Sequence, residues 1–269
     1  MRDLSTAALV APNATVKLSQ LKPDETFGLS EKDVRARTEK QLERLAELAT
    51  QLAANGKRAL LVVVQGMDGS GKDSVVKHCL GAISPMQVRI AAFKAPTSTE
   101  LAHDFLWRIH AVLPERGQIG IFNRSHYEDV LVVRVEGYAP ADLIERRYDA
   151  INQFEEHLVD EGTLIVKFHL HISKEEQATQ LQQRISDPTK NRKFQVGDLD
   201  KRKKWDAYAQ AYEIVLERTS TEHAPWHCVP CDHRWVRDAI ITDVLVATLA
   251  DLKMTWPELP PELKNLKIT

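Results

Sequence analysis

The sequence predicts an α/β fold, a parallel sheet with helices packed on both of its faces. Three observations carry this. Residues 59–64, Ala-Leu-Leu-Val-Val-Val, are too few and too continuously apolar for an amphipathic helix. They read as a strand buried on both faces, as parallel sheets require. Strand-like and helix-like segments alternate from there onward, the pattern of βα units. At 269 residues the chain can bury about 70% or more of its unfolded surface, so the core needs no disulfide or metal staple.

Residues 1–29 are interrupted by proline, weakly patterned, and read as an irregular arm docked on the surface. Ser30 and Asp33 have the spacing of a capping box, with Asp in place of Glu or Gln. Val34, Leu42, Leu45, Leu48 and Leu52 then recur at helical spacing until Asn55 and Gly56 close the helix. After the strand at 59–64 come an expected strand at 88–93, a helix at about 98–112 and a strand at 118–122. A helix at about 141–159, a strand at 163–172 and a helix at 174–185 follow. Beyond a basic segment the pattern gives a helix near 199–218, a strand near 226–229 and a closing helix near 235–254. The tail, 256–269, is Pro-rich and non-helical. No repeat or low-complexity linker divides residues 30–255, so one domain is expected there.

Composition excludes several classes. The longest apolar run, residues 59–64, falls far short of the roughly 18–20 residues that span a bilayer. The N-terminus lacks the charged-then-apolar design of a secretion signal. A soluble cytoplasmic protein without a membrane partner is expected. The net charge of −2 conceals an asymmetry: between Arg184 and Lys204 stand eight basic residues and three acidic ones, net +5 on an otherwise acidic chain. Such an island suggests a local anionic ligand rather than general nucleic-acid affinity.

Directly after the first long strand stands Gly66-Met67-Asp68-Gly69-Ser70-Gly71-Lys72-Asp73, leading into a helix. This fits G-x-x-x-x-G-K (Walker A) in the strand–loop–helix context the motif demands. The glycines let the backbone wrap an anion so that successive N–H groups form a nest, and the following helix presents its positive end. Lys72 reads as a surface-loop cation reaching the terminal phosphates. The hydroxyl residue that normally follows the lysine is replaced by Asp73, with Ser74 one residue late. Carboxylates beside phosphates repel unless a metal intervenes, so Asp68 and Asp73 argue for Mg²⁺, a hard cation preferring oxygen ligands.

The strand at 118–122 ends in Asn123-Arg124-Ser125-His126-Tyr127-Glu128-Asp129. Ligands of open α/β sheets bind beyond the carboxyl ends of strands. Arg124 can there hold phosphate oxygens bidentately, while Glu128 or Asp129 can hold metal or substrate groups. The island, about 184–205, has the makings of a mobile basic lid over phosphates, hinged at Gly197 and Asp198.

These residues resemble a known family, the type 2 polyphosphate kinases. The resemblance runs from about 34 to 254. It rests on the loop at 66–73, Phe93-Lys94-Ala95-Pro96, the segment from Ala102 to Arg108, the stretch from Phe122 to Asp129, and Lys190-Asn191-Arg192-Lys193-Phe194. It implies a three-layer α/β/α P-loop kinase fold with a helical lid, and Mg²⁺-dependent, reversible phosphoryl transfer between inorganic polyphosphate and nucleotides. It implies that Asp68, Lys72, Arg124 and Arg184 line the transfer site, with Asp68, Asp129 and Asp73 on the metal. Asn123, Arg124 and Glu128 would meet the acceptor, and Lys94, Arg108, Lys190, Arg192 and Lys193 the polyphosphate. Glu128 marks the branch that accepts AMP, often ADP too, where the ADP-only branch carries Trp-Tyr-Asn. Adenine nucleotides, with guanine nucleotides as a second option, are the expected partners, nucleic acid is not, and a dimer or tetramer is expected. Gly69, Ser74 and Glu136 depart from the family's usual residues at their positions.

Cys228-Val229-Pro230-Cys231 is discounted as a metal or redox pair. A zinc site wants a second ligand pair at a plausible distance, and on a strand the odd spacing turns the two thiols to opposite faces. Two rivals stand against the main reading: an ATP-dependent nucleoside monophosphate kinase of thymidylate-kinase type, and a polyanion-binding P-loop switch protein.

Overall fold

In the computed structural model, which describes residues 4–195 and 197–261, six strands form one sheet. They are β1 (Leu9–Val10), β2 (Ala59–Gly66), β3 (Val88–Ala92), β4 (Ile119–Asn123), β5 (Thr163–His171) and β6 (Trp226–Pro230), in the spatial order β1-β6-β5-β2-β4-β3. Every pair is parallel except β1 with β6. The sequence predicts residues 1–29 as wholly irregular; instead Leu9 and Val10 pair antiparallel with His227 and Trp226 and cover the sheet's far edge. Residues 1–3, Val196 and 262–269, parts of the expected arm, lid and tail, lie outside the described residues.

The central strand β2 is buried along its whole length, and its side chains divide the core in two. Leu60, Val62 and Val64 pack with α1 (Glu31–Asn55), α2 (Lys72–Cys79) and α10 (Arg234–Asp251). Leu61 and Val63 pack with α6 (Ala141–Asp160) and α9 (Trp205–Thr219) on the other face. The alternation follows from the two-residue period of a strand, and it makes the three layers. Helix α1 begins where its cap is expected: Ser30 Oγ accepts from Asp33 N at 3.3 Å, and Gly56, at φ +60°, closes the last turn. The thiols separate as the strand period demands, Cys228 into the core under α9 and Cys231 into the core under α10. Among the described residues no helix is long and apolar enough to cross a membrane.

Two expected helices are interrupted. The segment at 98–112 folds as α3 (Ser98–Leu101) and α4 (Trp107–His110). Asp104 Oδ1 accepts from Leu106 N at 2.9 Å, a local side-chain turn that competes with the helical ladder. The segment at 199–218 divides at Lys204 into α8 (Gly197–Lys203) and α9. A short helix, α5 (Val132–Glu136), lies where no element is expected, and α7 (Lys174–Ser186) lies where one is.

Candidate active site

The ends of β2, β4 and β5 come level because Val64 pairs with both Asn123 and Phe168. The loop at 66–73 therefore sits beside the turn that follows β4. Gly71 has φ +95°, and a Cβ there would lie 2.4 Å from Arg237 Nη1, so only glycine fits. Arg237 is itself buried beneath the loop, donating to Ser74 Oγ at 3.1 Å and from Nε to Asp238 Oδ1 at 2.8 Å.

Lys72 does not stand on the surface as the sequence suggests. It is buried, and Nζ donates to the carbonyls of Gly66 (2.6 Å) and Met67 (3.1 Å), curling back across the loop. Burial, only partly offset by Asp68, lowers its pKa from 10.5 to about 8. Asp68 lies 3.9 Å from it and accepts from Arg124 Nη2 at 2.7 Å and Lys201 Nζ at 2.9 Å. Burial would raise the Asp68 carboxyl, but Lys72, Lys201 and Arg124 outweigh it and hold the group well below the usual carboxylate range. Arg124 takes φ +61°, a backbone conformation uncommon for a residue with a Cβ.

The lid closes this floor. Lys193 donates to Asp73 Oδ2 at 2.8 Å, Lys201 reaches Asp68, and Arg202 donates to Gln177 Oε1 at 2.8 Å. Gln177, on α7, also donates to the Asp68 carbonyl at 2.7 Å. A cavity remains between loop, α5, α8 and α9, lined in part by Asp68, Arg124, Glu128, Lys201, Tyr208 and Tyr212. Its free volume is only about 40 Å³, against about 300–1,000 Å³ for sites that enclose small molecules. A charged floor and an apolar wall of Leu131, Val132 and the two tyrosines suit a nucleotide better than an inorganic anion alone.

The Polyphosphate kinase 2 family model matches residues 28–256. The chain belongs to the polyphosphate kinase 2 family. It is 44% identical over 264 residues to the AMP/ADP-polyphosphate phosphotransferase of Meiothermus ruber, covering 96% of this chain and 97% of that protein. It is 44% identical over 237 residues to the ADP-polyphosphate phosphotransferase of Rhodopseudomonas palustris, covering 82% and 81% of the two chains. Among solved structures, polyphosphate kinase 2 from Arthrobacter aurescens superposes with a TM-score of 0.92 at 41% identity, over 99% of this chain and 94% of that one.

The fold brings together some of the expected residues and separates others. Asp68, Lys72, Arg124 and Glu128 converge on the cavity or its floor. Asn123 reaches Asp73, donating from Nδ2 at 2.9 Å. Arg184 stays inside the lid, donating to Asp198 Oδ2 and the Lys193 carbonyl, both at 3.3 Å. Asp198 is buried and Gly197 opens α8, so this pair anchors the lid rather than forming a hinge turn. Asp129 turns away from Asp68 toward Arg108 (3.8 Å) and Arg147 (3.5 Å). Arg108 is buried, lies over the Phe93 ring and donates to the Lys94 carbonyl, which leaves its charge on Asp129 rather than on a surface track. Lys94, Lys190 and Arg192 are exposed. Nothing in the sequence marks Lys201, Gln177 or Arg237 as site residues. Lys201 belongs to the run Lys201-Arg202-Lys203-Lys204, where nothing distinguishes the residue that faces inward.

For Mg²⁺ the relevant observation is the donor set. Asp68 is an ionised carboxylate at the loop, Asp73 another at its end, and the buried Asn123 Oδ1 beside Asp73 has no hydrogen-bond partner. These are hard oxygen donors, and Mg²⁺ typically needs only one or two carboxylates, taking water and phosphate oxygens for the rest. The residues fit.

His126 and Tyr127 belong to the core. Glu155 accepts from His126 Nε2 (3.2 Å), Tyr127 OH (2.8 Å) and Lys167 Nζ, and Lys167 also donates to Tyr127 OH (2.9 Å) and the Thr219 carbonyl (2.7 Å). This fully buried cluster anchors the turn that carries Glu128.

Proposed function

We propose that the protein transfers phosphoryl groups reversibly between inorganic polyphosphate and adenine nucleotides, making ADP from AMP and ATP from ADP. The observation that carries this is the convergence of Lys72, Arg124 and Lys201 around Asp68 beneath a basic lid, in a chain that matches polyphosphate phosphotransferases along nearly its whole length. In the transfer, an oxygen of the acceptor's terminal phosphate bonds to the donor's terminal phosphorus as the bond from that phosphorus to its bridging oxygen breaks. The shortened polyphosphate leaves with the electron pair. Such a reaction needs positioning and charge neutralisation more than covalent chemistry. Loop N–H groups and Lys72 hold the phosphates, and Arg124 faces the transferring group. Lys201 and Lys193 release the aspartates as the lid lifts and return onto phosphate as it closes. Asp68 and Asp73 would hold Mg²⁺, which would supply charge neutralisation for the transfer.

Glu128 is the acceptor-side group that we connect with AMP. It is half-buried at the cavity, and burial raises its pKa above the usual range while Arg124 and Lys72 pull the other way. The test is an assay of purified protein with polyphosphate and Mg²⁺. ADP and then ATP should form from AMP, with no ATP supplied. Phosphorylation of AMP only when ATP is the donor would favour the nucleoside monophosphate kinase reading and overturn this one.

A further inference from the structure

Gln65 is the last side chain of β2 before the loop, wholly buried, and no role in the reaction falls to it from the loop motif. Its carboxamide has one orientation that satisfies both of its neighbours. Nε2 then donates to Glu128 Oε1 at 3.0 Å, while Oε1 accepts from Ser125 N at 3.1 Å and Ser125 Oγ at 3.2 Å. Ser125 Oγ in turn accepts from Tyr127 N at 3.2 Å. One amide thus ties the start of the turn after β4 to the acid that the turn presents to the cavity.

We infer that Gln65 is a positioning residue for nucleotide selection, fixing the Glu128 carboxylate toward the acceptor. This rests on the reading of Glu128 as the acceptor-side group. The physical need is plain. Arg124 and Lys72 both attract Glu128, yet Arg124 is already bonded to Asp68 at 2.7 Å. A Glu128 free to rotate would compete with Asp68 for the guanidinium and disturb both groups. The Gln65 N–H holds one carboxylate oxygen in place and leaves Arg124 on Asp68. The amide also suits the task chemically: a carboxylate at 65 would repel Glu128, and an aliphatic side chain would leave Ser125 N and Glu128 without their buried partner.

The test is a double-mutant cycle on kcat/KM for AMP and for ADP, with polyphosphate saturating. Gln65→Leu should lower the AMP value about ten-fold more than the ADP value, the scale of one lost hydrogen bond to a charged group. Glu128→Gln should show the same selective loss. The double variant should be no worse than Glu128→Gln alone, because both changes remove one interaction. Should Gln65→Leu fail to fold, Gln65→Glu combined with Glu128→Gln exchanges donor and acceptor between the two positions. That pair should recover the melting temperature lost in Gln65→Glu while leaving AMP selectivity lost. Equal loss with AMP and ADP in Gln65→Leu, or additive losses in the double variant, would each overturn the inference while leaving the acceptor reading intact; selectivity that returns with stability in the exchanged pair, which lacks the Glu128 carboxylate, would overturn both. No selective effect of Glu128→Gln itself would overturn both.

Discussion

Replacing Lys167 by methionine removes the cation at the centre of the polar cluster beneath the 125–129 turn. Lys167 and Glu155 are both fully buried, so water cannot take over the lost contacts. The Glu155 carboxylate would keep only His126 Nε2 and Tyr127 OH, and the Thr219 carbonyl would lose its Nζ donor. Breaking a buried pair by removing one partner typically costs about 3–5 kcal/mol, because the remaining charge is stranded. For a chain of this size that corresponds to roughly 6–20 °C in Tm. The pH dependence has a definite sign. In the wild type, burial pushes the Glu155 carboxyl up, but Lys167 and His126 outweigh it and its pKa is lowered. Its contribution to stability is therefore present above the ordinary glutamate range and fades only as pH falls through the lower folded value. In Lys167→Met the same carboxyl is raised, so it takes up a proton on folding and the deficit shrinks as pH falls from 7 toward 5. Thermal denaturation at both pH values measures this, and Lys167→Met with Glu155→Leu should recover much of the loss. A loss under about 1 kcal/mol at pH 7, or a double variant worse than the single one, would refute the reasoning.

Three further outcomes are expected. Lys72→Ala should lower kcat by about 10²-fold or more, the usual scale for losing one transition-state charge contact, with folding checked by circular dichroism; retention of more than about a tenth of the wild-type rate would contradict the loop assignment. Neutralising Lys190, Arg192 and Lys193 together should raise the KM for polyphosphate and flatten its salt dependence, since exposed charges are screened over about 8–10 Å; the nucleotide KM should move much less. Cys228→Ser with Cys231→Ser should lower Tm but leave kcat within about two-fold and metal dependence confined to Mg²⁺, because burial pushes both thiols up, Cys228 to about 12, and they occupy opposite cores; stoichiometric zinc lost together with activity would sink that assignment.

The parts legible in the sequence are those whose chemistry is written in local order. The strand at 59–64, the glycines of the loop, and the helix cap at Ser30 each carry their own signal, and each stands where expected. Side-chain direction is less legible. Arg108 and Asp129 look like site residues by charge and position, but each completes the other's pairing away from the loop. Lys201 is one cation in a run of four, and only the fold of α8 decides that it meets Asp68. Gln65 is an amide in an apolar strand, visible as a positioning group only once β4 lies beside β2. Residues 98–112 carry helical periodicity, yet between α3 and α4 the Asp104 side chain bonds the backbone two residues on, where the helix is interrupted.

The central claim is that polyphosphate is the phosphoryl donor at the Lys72 loop. Phosphorus NMR of the wild type and Lys72→Ala, each given polyphosphate, Mg²⁺ and AMP, tests it most directly. The wild type should shorten polyphosphate as the β-phosphate of ADP and then the γ-phosphate of ATP appear in matching amounts, and the variant should leave the spectrum unchanged over the same time. Polyphosphate that stays intact with the wild type while added ATP is converted with AMP to ADP would contradict it.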